Sequence, residues 1–119
     1  MRPYFVRVGQ RWQHLWMAGS GPPLLLLHGS PNRALAQKPL IESLAQSHLV
    51  IAPDTPGNGY SDPLPAGASQ PKDFAAAALA LLDALRVNRF AVYGHHSGAV
   101  MAAELVIAAP QRVCGVACD

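Results

Sequence analysis

The sequence predicts an α/β fold, a mostly parallel sheet with flanking helices, and three observations predict it. Short continuous apolar runs, suited to strands covered on both faces, alternate with segments whose apolar residues recur at helical spacing. Gly- and Pro-rich stretches separate the two kinds of segment. Half of the 119 residues are hydrophobic and 13% are charged, a balance that favours one packed domain over residues 1–119 and argues against disorder.

The elements follow in order. Tyr4 to Val8 and Arg11 to Met17 read as two strands joined at Gly9-Gln10, a two-residue connection that suits a hairpin. Leu24 to His28 is a buried central strand, and Pro39 opens a short helix whose inner face carries Leu40, Ile41 and Leu44. Leu49 to Ala52 is the next strand, followed from Asp54 to Pro71 by a long surface loop rich in Gly, Pro, Ser and Asp. From Asp73 the residues Phe74, Ala77, Ala78, Leu81, Leu82 and Leu85 mark an amphipathic helix. Phe90 to Tyr93 is a strand, Gly94 to Gly98 a sharp turn, and Ala99 to Ala109 a helix so apolar that burial on all sides is expected. Val113 to Cys118 is a last strand, without a following helix to cover it.

Composition excludes several partners. The formal net charge is +2 and the nine Lys and Arg residues are scattered, so no basic stripe marks a nucleic acid or an anionic lipid surface. The N-terminus lacks the apolar core of a signal peptide, and no apolar run approaches the roughly 18 residues of a membrane span. A cytoplasmic protein acting on a small molecule is expected, with its oligomeric state open. Cys114 and Cys118 share a strand at a separation that puts their Cα atoms roughly 13 Å apart, too far to pair. They are expected as two small buried hydrophobes. His14 and His48 are expected at the surface or core edge, no metal-ligand spacing occurs, and neither metal nor cofactor is inferred.

Three loops that follow successive parallel strands carry the chemistry, which is where open α/β sheets place their sites. They read His28-Gly29-Ser30-Pro31-Asn32, Asp54-Thr55-Pro56-Gly57-Asn58-Gly59-Tyr60-Ser61-Asp62 and Gly94-His95-His96-Ser97-Gly98-Ala99. In this order, with these intervening elements, the set resembles the α/β-hydrolase superfamily of esterases, haloalkane dehalogenases and epoxide hydrolases. The resemblance runs along essentially the whole chain and implies an incomplete α/β-hydrolase fold with about six of the family's eight strands.

The strand-to-helix elbow of that family needs small residues two before and two after its tip. Gly94 and Gly98 meet this rule around His96, whereas His95 and Ala99 flank Ser97 poorly, so His96 is expected at the tip and Ser97 one residue beyond. This departs from the Ser, Asp or Cys that the family places there. The resemblance then implies an oxyanion hole from the backbone N–H groups of Ser30 and Ser97, with His28 and Gly29 in the pocket wall. Apart from the family, His28 reads as a structural side chain bonded to loop backbone, Gly29 as a turn residue, and Asp54 and Asp62 as turn-forming acids. In the family the acid partner and the triad histidine follow later strands, though Asp119 stands where some members put the acid.

The expected function is therefore that of a truncated α/β-hydrolase, inactive alone, whose parent hydrolyses a small organic ester, carbon–halogen bond or epoxide. Two other classes stay open: a hydrolase-like ligand-binding protein without turnover, and a lyase or cofactor-independent enzyme using His96 as a general base.

Overall fold

The computed structural model describes residues 1–119 as one six-stranded sheet with helices on both faces. β1 (Arg2–Val8) and β2 (Arg11–Ala18) form the antiparallel hairpin expected at Gly9-Gln10. β3 (Pro23–Leu27), β4 (Leu49–Pro53), β5 (Phe90–Gly94) and β6 (Val113–Cys118) run parallel to one another, and the sheet order is β1-β2-β4-β3-β5-β6. A 3-10 turn over Ala34–Gln37 leads into α1 (Lys38–Leu44), and α2 (Pro71–Ala84) and α3 (Ser97–Ala108) complete the set.

The chain steps from β3 to β4 on one side and then returns past β3 to β5 on the other. This reversal opens a crevice at the carboxyl ends of β3 and β5, the position where such sheets bind ligands. The loop after β3 and the turn after β5 therefore meet there for topological reasons.

Alternation along β3 divides the core. Leu25 and Leu27 pack with α2 and α3 against Leu15, Ile51, Phe90 and Val92, while Leu26 packs on the other face with Ile41, Val50 and Ala52. Leu25, Leu26, Ile51, Leu81 and Leu82 are fully buried. This two-sided cover is why the central strands read as unbroken apolar runs.

Four local expectations are corrected. Helix α2 begins at Pro71, two residues before Asp73, because Pro71 supplies the fixed φ of a first turn and the Asp73 carboxylate accepts the Gln70 N–H at 2.9 Å. Helix α3 is not buried all round: Gly98, Met101, Ala102 and Leu105 face the core, while Val100, Val106 and Ile107 are exposed. One side of α3 meets the sheet and α2, and nothing in the chain covers the other. Cys114 and Cys118 are exposed free thiols, since β6 is an edge strand with almost all of its residues open to solvent. Finally, the loop after β4 is buried at Asp54 and Thr55 and again at Ser61.

Leu25→Ala is expected to cost about 2–5 kcal/mol of folding free energy, the range for truncating a buried leucine that cannot be refilled. Urea unfolding of the two proteins measures the difference.

Candidate active site

Strand β5 ends at Gly94 and α3 begins at Ser97, leaving His95 and His96 to make the connection. His96 has φ 54° and ψ −118°, the conformation of the first central residue of a type II′ turn, where glycine dominates. The flanking glycines explain how a histidine is forced into it. A Cβ on Gly94 would collide with the Gly98 carbonyl, and a Cβ on Gly98 would collide with the Leu27 carbonyl of β3. The turn is thus pressed against both its own helix and the neighbouring strand. It is also stitched down by backbone bonds, from His95 N–H to Leu27 O at 3.0 Å and from His96 N–H to Asp119 O at 3.1 Å.

Gly29 contributes differently from the turn role expected of it. Its φ does not lie in the left-handed region; instead a Cβ there would sit 3.1 Å from His96 Cβ and 3.3 Å from His95 O. Glycine at this position admits the histidine turn to close approach.

The cleft beside the turn has a volume of about 430 Å³. Ser30 and Ser97 line it together with Thr55, Asn58, Phe74 and Met101, so the first and third loops do converge. His96 is exposed at the rim and does not line the cleft. His28 and Gly29, expected in the pocket wall, do not line it either. His28 is drawn inward: its Nε2 accepts the Thr55 N–H at 3.0 Å and its Nδ1 bonds Gly29 O at 3.0 Å. Burial holds its imidazole below the ordinary value, so it is a neutral clamp between two loops.

Two donors expected to act together are in different states. The Ser30 N–H donates to Ser97 Oγ at 2.7 Å, while the Ser97 N–H makes no hydrogen bond within the chain. Rotation of the Ser97 side chain would release the Ser30 N–H toward the cleft.

The acids and His14 fall into a structural network. Asp54 is buried and its Oδ2 pairs with His14 Nδ1 at 2.8 Å, while its carboxylate also accepts N–H bonds from Ala34 at 2.8 Å and Tyr60 at 3.0 Å. His14 is accordingly a buried partner, correcting its expected place at the surface or core edge. Asp62 Oδ2 accepts the Trp12 N–H at 2.8 Å and so fastens the loop to β2.

Sequence reasoning missed one cluster. At the end of β6, Asp119 Oδ1 pairs with His95 Nδ1 at 2.6 Å, and Asp119 Oδ2 accepts the Tyr93 hydroxyl at 2.7 Å. Both bonds hold the Asp119 carboxyl below its ordinary range, the one from His95 more strongly, and the bond to Asp119 raises the Tyr93 phenol. The signal available in sequence was that Tyr93, His95 and Asp119 all end adjacent parallel strands. No three His, Cys, Asp or Glu side chains gather as a metal ion would require, and no helix is long and apolar enough to cross a membrane.

Comparison with known proteins bears on the fold. A family model described as alpha/beta hydrolase fold matches residues 22–119. The (E)-2-((N-methylformamido)methylene)succinate hydrolase of Acinetobacter baylyi is 33% identical over 103 residues, covering 87% of this chain and 39% of that protein. The 2-hydroxymuconate semialdehyde hydrolase of Pseudomonas sp. strain CF600 is 37% identical over 100 residues, covering 81% of this chain and 35% of that protein. A variant of the Vigna radiata epoxide hydrolase superposes with a TM-score of 0.91 at 27% identity, covering 98% of this chain and 37% of that one. The chain thus spans well under half the length of these relatives.

Two outcomes test the network. Asp54→Ala leaves His14 and the Ala34 and Tyr60 N–H donors without their partner and is expected to cost about 3–5 kcal/mol in urea unfolding. His28 has a lowered folded-state pKa, so its contribution to stability is complete above the unfolded value near 6.5 and declines as pH falls through that value. Denaturation midpoints should therefore drop on acidification below about pH 6.5, and less so in His28→Asn.

Proposed function

The chain belongs to the α/β-hydrolase fold family, and from that membership we propose that it is the N-terminal part of a hydrolase domain whose reacting group is His96. The carrying observation is the backbone of His96, held at φ 54° between two glycines that tolerate no side chain. Families of this fold put their nucleophile at such a turn, and strain of this kind is characteristic of functional positions.

An imidazole at the tip restricts the substrate. As a covalent nucleophile it would form an acyl-imidazole from an ester, which water cleaves readily. From an alkyl halide or an epoxide it would form an alkylated imidazole, which water does not cleave, and the site would be lost after one event. Among ester, carbon–halogen and epoxide substrates, the histidine therefore favours a small ester. The wall of the cleft suits a neutral one, since Phe74, Val100 and Met101 supply apolar surface, Ser30, Thr55, Asn58 and Ser97 supply polar contacts, and no charged residue lines it.

Negative charge developing on the carbonyl oxygen would be met by the free Ser97 N–H and by the Ser30 N–H once Ser97 Oγ turns away. That same bond favours a second reading, a hydrolase-like binding protein, because a Ser30 donor already satisfied by Ser97 Oγ leaves one backbone donor for the oxyanion.

Incubating the protein with 4-nitrophenyl acetate and mapping the adduct by mass spectrometry separates the two. Acetylation of His96, lost in His96→Ala and kept in Ser97→Ala, is the expected result. A fluorophosphonate should leave Ser97 unlabelled. Saturable binding of esters with no adduct at His96 would favour the binding protein.

A further inference from the structure

We infer that His95, held by Asp119, is the acid–base group for the reaction at His96, an inference that rests on the nucleophile reading above. His95 Nδ1 and Asp119 Oδ1 are 2.6 Å apart, so an ionised carboxylate accepting the Nδ1–H leaves the lone pair on Nε2. That nitrogen has no partner within the chain. The His95 ring stands edge-on to the His96 ring with centroids 4.1 Å apart, so the two imidazoles are neighbours at the turn.

Asp119 is itself firmly placed. Its N–H donates to Gly94 O at 3.1 Å and its carbonyl accepts the His96 N–H at 3.1 Å, so backbone bonds from this one residue bracket the turn. Its second carboxylate oxygen takes the Tyr93 hydroxyl at 2.7 Å. The two oxygens of the carboxylate are thereby divided between Tyr93 and His95, and the pair is oriented from the sheet. The carboxyl is held below its ordinary range chiefly by the bond to His95, as an orienting anion requires.

The proton path closes. As one His96 nitrogen attacks the ester carbon, His95 Nε2 takes the proton from the other. When the C–O bond breaks, the departing alcohol oxygen receives that proton, leaving a neutral acyl-imidazole. A water oxygen then attacks the acyl carbon while its proton passes to His95 Nε2; the C–N bond breaks, the proton goes to His96, and the acid is released. The chain thus contains a base for its own reacting group.

The test uses the full protein encoded by its gene, with 4-nitrophenyl acetate as the probe. Its leaving group needs no proton, so acylation of His96 should survive in His95→Gln while deacylation slows about 10²–10⁴-fold, the range for a lost general base. Acetyl-His96 should then accumulate in the mass spectrum after a nitrophenol burst. Asp119 acts through His95, so Asp119→Ala should slow deacylation too. It should also convert His95 from the single Nδ1–H form to a mixture of tautomers in ¹⁵N spectra. Native deacylation rates in both variants would overturn the inference while leaving His96 as nucleophile. Absence of acetyl-His96 from His95→Gln as well as from the unsubstituted protein would remove the nucleophile reading, and the acid–base assignment would fall with it.

Discussion

The structure depends on one close backbone contact, the packing of the β5–α3 turn against the carboxyl end of β3. Gly98 lies so near the Leu27 carbonyl, and Gly94 so near the Gly98 carbonyl, that neither position has room for a Cβ. With both glycines committed to that contact, the residue between them must reverse the chain, and it does so at φ 54° although it is a histidine. Such a conformation costs of order 1–3 kcal/mol and persists only where surrounding contacts over-determine it. Here those contacts are the buried faces of β3, β5 and α3.

Around this turn the protein builds an unusually polar frame for so apolar a chain. His28 joins the first loop to the second, Asp54 and His14 join the second loop to the hairpin, and Ser97 joins α3 to the first loop. The bonds of His28 and of Asp54 with His14 satisfy buried groups that would otherwise be unpaired, which is the condition for keeping polar residues inside at all. The loops therefore hold a fixed spacing around the crevice. Gly29, by lacking a side chain, lets the His95-His96 pair approach within that frame.

Much of this was legible in the sequence because it depends on periodicity and on residue size. The six strands, the three helices and the convergence of the first and third loops follow from apolar runs, helical spacing and strand order. The position of His96 followed from the Gly94–Gly98 spacing, a steric rule that acts within five residues. What escaped depends on long-range contact. The exposure of Ile107 and of both cysteines reflects which faces of α3 and β6 find a partner, and composition alone assigned them to the interior. His28 bonds loop backbone as its structural reading expected, but its partner Thr55 lies 27 positions away and draws it out of the pocket wall, and the pairing of His14 with Asp54 joins residues 40 positions apart. The Asp119–His95–Tyr93 cluster was hidden for the same reason, since its members meet only when β5 and β6 are set side by side.

The central claim is that position 96 carries the strain of the turn, and the free energy of folding of His96→Gly tests it most directly. Glycine adopts this conformation at little cost, and the imidazole is exposed, so few contacts are lost with it. Urea unfolding should show His96→Gly to be about 1 kcal/mol or more stable than the parent, with Ser97→Gly less stable because it weakens the first turn of α3 and the bond to Ser30. The opposite order, a destabilised His96→Gly and a stabilised Ser97→Gly, would mean that the strained residue is Ser97 and would contradict the account.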